Sequence, residues 1–266
     1  MSHTYWHKQS SSKPLYPDLI WDRPENKAHA GKMLIIGGNA YSFSAAGSAY
    51  QNAVREEIGL AKVLIPDSLK KTVGQILENG EFAPSNKSGG FNKQSLSTWL
   101  DLAEWSDGAY IPGDLGRNSE TMIVLENFIQ RYNGIITITN DALDHLVLNP
   151  DVWLDRDSTI AVTSFGQLQK LAINSKFQKA FTYDMPINNL VENLHLFTTI
   201  HSVLIVLKHN KKIYVAKDGE VSTTESNQDN PVWRVETAAK VTVWGIQNPS
   251  KLFAAVTTAV YEMAKN

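Results

Sequence analysis

The chain has 266 residues, 42% hydrophobic and 20% charged, the make-up of a globular protein long enough to bury a full core in one large domain or two small ones. A formal net charge of −2 argues against nucleic acid or an anionic membrane as partner, and the absence of cysteine removes disulfides and thiolate metal sites and favours a cytoplasmic setting. No apolar run approaches a membrane span, and residues 1–25 lack the basic-then-apolar order of a secretory signal.

Residues 1–25 show no hydrophobic period and read as a loosely ordered arm, with Trp6, Tyr16 and Trp21 as side chains that would pack it somewhere. Residues 26–266 read as one domain of alternating strands and helices. Met33 to Gly38 is apolar on both faces, as a central parallel strand must be. Ala45, Ala46, Ala49, Ala53 and Ile58 then recur at helical spacing. A strand is expected over Ala61 to Pro66, followed by a helix with the stripe Leu69, Val73, Ile76 and Leu77, which Asp67-Ser68 would cap. Helix, strand, helix and strand follow at Leu96 to Trp105, Gly108 to Pro112, Asn118 to Tyr132 and Gly134 to Thr139. A short helix at Asp141 to Leu148 precedes a strand at Thr159 to Thr163 and helices at Phe165 to Ile173 and Pro186 to Thr199. The strands Ser202 to Lys208 and Lys212 to Ala216 flank a connection too short for a crossover, which makes them an antiparallel hairpin. A last helix carries Leu252, Val256, Val260 and Met263. This alternation predicts a three-layer α/β/α fold with a central, mostly parallel sheet, and ligands outside the carboxyl ends of its strands.

Glycine loops stand at those ends. Gly37-Gly38-Asn39-Ala40-Tyr41-Ser42 follows the first strand of the domain, and glycines there let a ligand approach the backbone while a helix amino end holds an anion. The run matches neither a dinucleotide fingerprint nor a Walker loop, and a plain strand-to-helix turn accounts for it equally well. Pro112-Gly113-Asp114-Leu115-Gly116-Arg117 repeats the arrangement, with Asn118 or Ser119 as cap and Arg117 facing a phosphate or carboxylate. Asn140-Asp141 closes another strand. Asp141 would orient a substrate hydroxyl or a magnesium-bound water, or, the reading favoured by the residues alone, cap the next helix. His3 and His7 are four apart but lie in the arm, His145, His195, His201 and His209 show no ligand spacing, and no G-x-S-x-G elbow is present, so no metal site or acyl-transfer serine is expected.

Together these segments resemble the ribokinase-like superfamily, and within it the ADP/ATP-dependent NAD(P)H-hydrate dehydratases. The resemblance runs from about Arg23 to Met263. Lys27 precedes the strand ending in Gly37-Gly38, although Asn26 stands where the family has histidine. Ala40-Tyr41-Ser42 is similar to the family's Gly-Tyr-Thr/Ser stretch. Pro112-Gly113-Asp114-Leu115-Gly116-Arg117 echoes its Gly-Pro-Gly-Leu-Gly-Arg loop with a residue or two altered, Asp141 keeps the second aspartate of Asp-Ala-Asp-Ala-Leu, and Lys208 matches the lysine closing a Val-Val-Leu-Lys strand. The resemblance implies a ribokinase-like fold, ATP or ADP with magnesium as cofactor, and ligand contacts from Gly37, Gly38, Tyr41, Ser42, Gly113, Asp114, Gly116, Arg117, Asn140, Asp141, Ser164 and Lys208.

The departures bear on activity. The family's Thr-Pro-His-Pro-Gly-Glu segment falls on Val162-Thr163-Ser164-Phe165-Gly166-Gln167 without its histidine or glutamate. Counted back from Gly245, the family's Gly-Thr-Gly-Asp turn falls on Ala238-Ala239-Lys240-Val241. In that register valine replaces the proton-transferring aspartate, a loss worth roughly 10² to 10⁴ in rate, while Lys240 supplies a point charge for phosphate. The expectation is a catalytically impaired protein that binds an adenine nucleotide or a phosphorylated small molecule. Two alternatives stand beside it: an active dehydratase or small-molecule kinase with relocated catalytic groups, and a non-enzymatic structural or assembly protein, with a homo-oligomer as one such assembly.

Overall fold

The computed structural model describes residues 4–10, 12–74, 79–226 and 233–265. In chain order its elements are β1 (Trp6–Gln9), α1 (Asp18–Trp21), β2 (Lys32–Gly37), α2 (Ser44–Arg55), β3 (Leu60–Pro66), α3 (Lys70–Val73), β4 (Gly80–Ala83), α4 (Ser95–Trp105), β5 (Gly108–Gly113) and α5 (Ser119–Arg131). There follow β6 (Ile135–Ile138), α6 (Asn140–Leu146), β7 (Thr159–Thr163), α7 (Phe165–Asn174), α8 (Ile187–Ile200), β8 (Leu204–His209), β9 (Lys212–Lys217), β10 (Glu220–Glu225), α9 (Trp233–Gln247) and α10 (Leu252–Lys265).

The strands form one sheet in the order β1-β10-β9-β8-β7-β6-β5-β2-β3-β4. Every pair from β8 to β4 is parallel, while β8 with β9 and β9 with β10 are antiparallel. The apolar strands are needed because helices cover both faces of the sheet. Leu34 and Ile36 of β2 point into a core with Trp99, Phe128, Leu143 and Leu168, whereas Met33 and Ile35 point into one with Ala46, Ala53, Trp244 and Val256. The two cores are thus the two faces of a single sheet, the three-layer arrangement expected.

The expected hairpin is present: His209 pairs with Lys212, and Asn210 and Lys211 take φ of +48° and +56°, the left-handed pair of a type I′ turn. A second turn of the same kind, at Asp218 and Gly219, leads into β10, which the sequence reading did not include; nor did it include β4. Polar alternation through Ser222, Thr223 and Thr224 hid the former, and β4 is only four residues long. Inside the segment read as a loose arm, β1 adds to the sheet edge parallel to β10. Trp6 Nε1 donates to Thr223 Oγ1 at 3.0 Å, and Gln9 Nε2 donates to Thr224 Oγ1 at 2.7 Å and to the Thr257 carbonyl at 2.8 Å. Trp21, by contrast, is 85% exposed. Asp67 caps no helix; its Oδ1 accepts the Ser85 amide at 2.9 Å. Ile76 and Leu77 of the expected stripe lie outside the described residues.

Strands β2, β5, β6, β7 and β8 run the same way, so their carboxyl ends line one side of the molecule. There the β2–β5 ladder slips: Ile35 pairs with Tyr110 but Gly37 with Gly113, so β5 carries one extra residue. Pro112 sits in the bulge, and a residue without an amide hydrogen is tolerated in a sheet at such a place. The two glycines then meet closely, because a Cβ on Gly37 would lie 2.7 Å from the Gly113 carbonyl oxygen. Gly37→Ala is therefore expected to push β2 and β5 apart at the site and to cost about 1–3 kcal/mol in a denaturant melt, the usual penalty of overpacking. An unchanged midpoint would contradict the close approach.

Candidate functional site

The loops after β2 and β5 are bound to each other. Gly38, at φ +90°, donates its amide to the Gly113 carbonyl at 3.3 Å, and Asn39 Nδ2 donates to the Asp114 carbonyl at 2.7 Å. Asn39 also shapes its own turn: its Oδ1 accepts the Tyr41 amide at 2.8 Å, and its backbone exchanges hydrogen bonds with Ser42. The turn leaves Tyr41 at the rim, 90% exposed. Beyond the bulge, Gly113, Asp114 and Gly116 all have positive φ, of +115°, +59° and +75°. For aspartate that conformation is uncommon and costs of order 1 kcal/mol or more. Something must hold Asp114 there, and its side chain does. Its Oδ2 accepts the Ala45 amide at 2.8 Å and faces Ser44 Oγ at 3.4 Å, so the carboxylate sits on the amino end of α2.

The second carboxylate is Asp141, in the first turn of α6. It does not cap that helix; no side chain bonds at the Thr139 cap position. Instead Asp141 Oδ2 accepts the Gly116 amide at 3.1 Å, and the Leu115 and Asp114 amides also face the carboxylate. Its Oδ1 is buried with no hydrogen-bond partner among the described residues, against Gly113, where a Cβ would come within 2.5 Å of it. Burial pushes the Asp141 carboxyl above the usual carboxylate range; the three amides work against the rise and the Asp114 charge adds to it. Asn140, at φ +51°, donates from Nδ2 to the Pro112 carbonyl at 2.8 Å, tying β6 to the bulge.

A third loop joins through Gln167. Ser164 caps α7 in a reciprocal box with Gln167, whose Nε2 donates to the Asn140 carbonyl at 2.9 Å and to Asp144 Oδ1 at 3.0 Å. Arg234, near the start of α9, donates to Gln167 Oε1 at 3.2 Å. The glutamate-to-glutamine departure thus falls on a buried hub rather than a gap. Gln167 was legible only as a loss, and nothing in the local sequence marked Arg234. Asp144 lies three residues from Asp141, the spacing that puts both on one helix face.

Gly37, Gly38, Ser42, Gly113, Asp114, Gly116, Asn140, Asp141 and Ser164 are all placed in these linked loops. Arg117 and Tyr41 stand at their rim, and Asn118 caps α5, its Oδ1 accepting the Glu120 amide at 2.9 Å. Two adjoining clefts share Gly116 and Arg117. One, of about 290 Å³, runs past Asn39, Tyr41 and Asn118; the other, of about 400 Å³, past Asp141, Asp144 and the exposed Lys170. The second falls within the range of small-molecule sites, roughly 300–1,000 Å³. A cavity of similar size beside Lys217 and Lys251 lies at the opposite ends of the strands, away from these loops. Lys208, the last residue but one of β8, alternates onto the face of Leu204 and Val206, the face that α2 covers. Beside it His209 packs against Phe165 and Tyr183 with ring centroids 4.5 and 4.9 Å away, and burial holds its imidazole below the ordinary value.

The structure corrects one expectation outright. Ala238-Ala239-Lys240-Val241 is no turn but the buried interior of α9. Amides there are spent on the helix itself, so no nest can form, and Val241 faces the core rather than a ligand. Lys240 does not join the loops either: its Nζ pairs with Glu56 Oε1 at 3.0 Å, just past the end of α2. The end of α9 near the loops is Trp233-Arg234, so the register counted back from Gly245 falls too deep in the helix. Residues 227–232 lie outside the described residues.

Since burial raises the Asp141 carboxyl, its ionised form costs stability that the protonated form does not. Wild-type stability is expected to fall as pH rises from the ordinary carboxylate pKa through the raised one, and Asp141→Asn to flatten that fall. Urea melts between pH 3 and 8, about the range carboxylates titrate in, read the difference. Parallel pH profiles would contradict it.

No protein-family model matches the chain, and no curated protein matches it. Solved structures do. A ribokinase-like superfamily protein from Enterococcus faecalis superposes with a TM-score of 0.71 at 15% identity, covering 99% of this chain and 88% of that one. The ADP/ATP-dependent NAD(P)H-hydrate dehydratase of Bacillus subtilis, co-crystallised with ATP and Mg²⁺, gives 0.62 at 15% identity over 91% and 82%. Pyridoxal kinase from Staphylococcus aureus, in complex with AMP-PCP and pyridoxal, gives 0.52 at 14% over 86% and 84%. At these identities the likeness concerns the fold, and this chain has the ribokinase-like fold.

Proposed function

We propose that the protein binds an adenine nucleotide, or a phosphorylated small molecule, in the cleft bounded by Gly116 and Arg117, and that hydrate dehydration there is absent or very slow. Arg117 presents a planar fork to phosphate, and Lys170 adds a second exposed cation across the same cleft. Magnesium would arrive with the nucleotide, held mainly by its phosphates, with Asp144 and Asp141 the carboxylates at hand. Likeness to nucleotide-bound proteins of the same fold supports the ligand class.

One observation carries the catalytic half of this reading: in the free protein both loop carboxylates are engaged by backbone amides. A general acid or base must come within hydrogen-bond reach of the proton it moves. Asp114 is held on the amino end of α2, and Asp141 directs one oxygen to the Gly116 amide and buries the other. A second reading draws on the raised Asp141 carboxyl, since a displaced titration range is what a relocated proton-transfer group would have.

Thermal shift and calorimetry with ADP and ATP test the first half. Binding is expected, and Arg117→Ala should weaken it about tenfold, in keeping with the loss of a charged hydrogen bond. No binding by either nucleotide would contradict the nucleotide reading, and a panel of phosphorylated small molecules that also failed to bind would leave the structural or assembly role. Incubation with hydrated NADH and ATP or ADP, followed by NADH absorbance, tests the second half. A silent assay is expected; turnover on the order of 1 s⁻¹ or faster, abolished in Asp141→Asn, would favour the second reading instead.

A further inference from the structure

The loop between Gly113 and Gly116 carries a site of its own. Successive backbone amides in turns with positive φ converge into a concave nest that binds anions. Here the Gly116 amide reaches Asp141 Oδ2 at 3.1 Å, and those of Leu115 and Asp114 face the same carboxylate. The nest lies in the loop after β5 and borrows no helix end; the amino end of α2 beside it is taken by Asp114. What fills the nest fits poorly, since Asp141 Oδ1 is buried with no hydrogen-bond partner among the described residues. A well-satisfied structural carboxylate spreads its bonds over both oxygens, and an orphaned buried oxygen is costly. Gly116 is also the residue at which the two clefts meet, so the nest opens beside the exposed guanidinium of Arg117.

We propose that the Asp114–Gly116 amide nest is an anion site for the terminal phosphoryl group of a ligand, and that Asp141 occupies it as an internal competitor which the ligand must displace. The inference rests on the ligand reading above and deepens it by naming where phosphate goes and what opposes it. A phosphate entering the nest gains the three amides and Arg117. It must also turn the Asp141 carboxylate out beside its own negative charge, which keeps affinity low. Charge and occupancy can be separated, because asparagine at 141 removes the charge but keeps an oxygen to accept the Gly116 amide, whereas alanine vacates the nest.

The test is a titration of the full ¹⁵N-labelled chain with inorganic phosphate, following the Gly116 and Leu115 amide resonances. Asp141→Ala is expected to bind phosphate at those amides about tenfold tighter than Asp141→Asn, and more tightly still than wild type, the effect of freeing charge-assisted hydrogen bonds. Equal affinity of the two variants would mean that charge alone matters and would overturn the proposal. So would phosphate binding that leaves the Gly116 amide unmoved. Should the alanine variant fail to fold, hydrogen exchange in the wild type still decides. A nest closed by Asp141 should slow exchange at Gly116 by at least about tenfold relative to an open loop amide, and unprotected exchange would overturn the occupancy. Nucleotide binding by the wild type is measured separately, so a nest that releases no phosphate site leaves that result standing.

Discussion

The meeting of β2 and β5 at Gly37 and Gly113 governs everything at the carboxyl ends of the strands. Pro112 cannot donate to the ladder, the register slips by one residue, and the chain leaves β5 with three positive-φ positions in the four residues that follow the proline. Those angles turn the amides of residues 114–116 toward Asp141 rather than along the strand. They also deliver the Asp114 carboxylate to α2 and its carbonyl to Asn39. Side chains at positions 37 or 113 would break this, since each would strike backbone or carboxylate atoms of the adjoining segment.

From that geometry follows a site whose loops are bonded largely to one another, with Asp141 Oδ1 left over. Strand carboxyl ends in such folds collect glycine loops and helix amino ends, both of which attract anions. In this chain two such positions already hold internal carboxylates, and Gln167 knots a third loop to Asn140, Asp144 and Arg234. These bonds tie the loops to one another, and the proposed lack of proton transfer rests on them. Charge available to a ligand lies instead at the rim, on Arg117 and Lys170. The phosphate-binding role proposed above draws on that rim charge.

Much of the fold was legible because its signals are local. Buried parallel strands such as β2 and β7 are continuous apolar runs, and the helices between them carry plain stripes. Elements with weak local signals escaped: β4 is short, β10 is polar, and β1 gains its order only from pairing with β10. The site was legible as a set of loops, because glycine, asparagine and aspartate after a strand mark the same positions whatever the ligand. Their bonding was not. Whether Asp141 caps its helix or fills a neighbouring nest depends on a bulge some thirty residues earlier in the chain. The Lys240–Val241 register failed for a related reason: motif spacing fixes no helix boundary, and α9 begins well before those residues.

A structure of the protein with ADP and Mg²⁺ bound bears most directly on the account. Phosphate density is expected against the Gly116 amide and Arg117, with the Asp141 carboxylate turned away from the loop it occupies in the free protein. Density at the opposite ends of the strands, beside Lys217 and Lys251, or a nucleotide bound elsewhere with the Gly116–Asp141 bond intact, would contradict it.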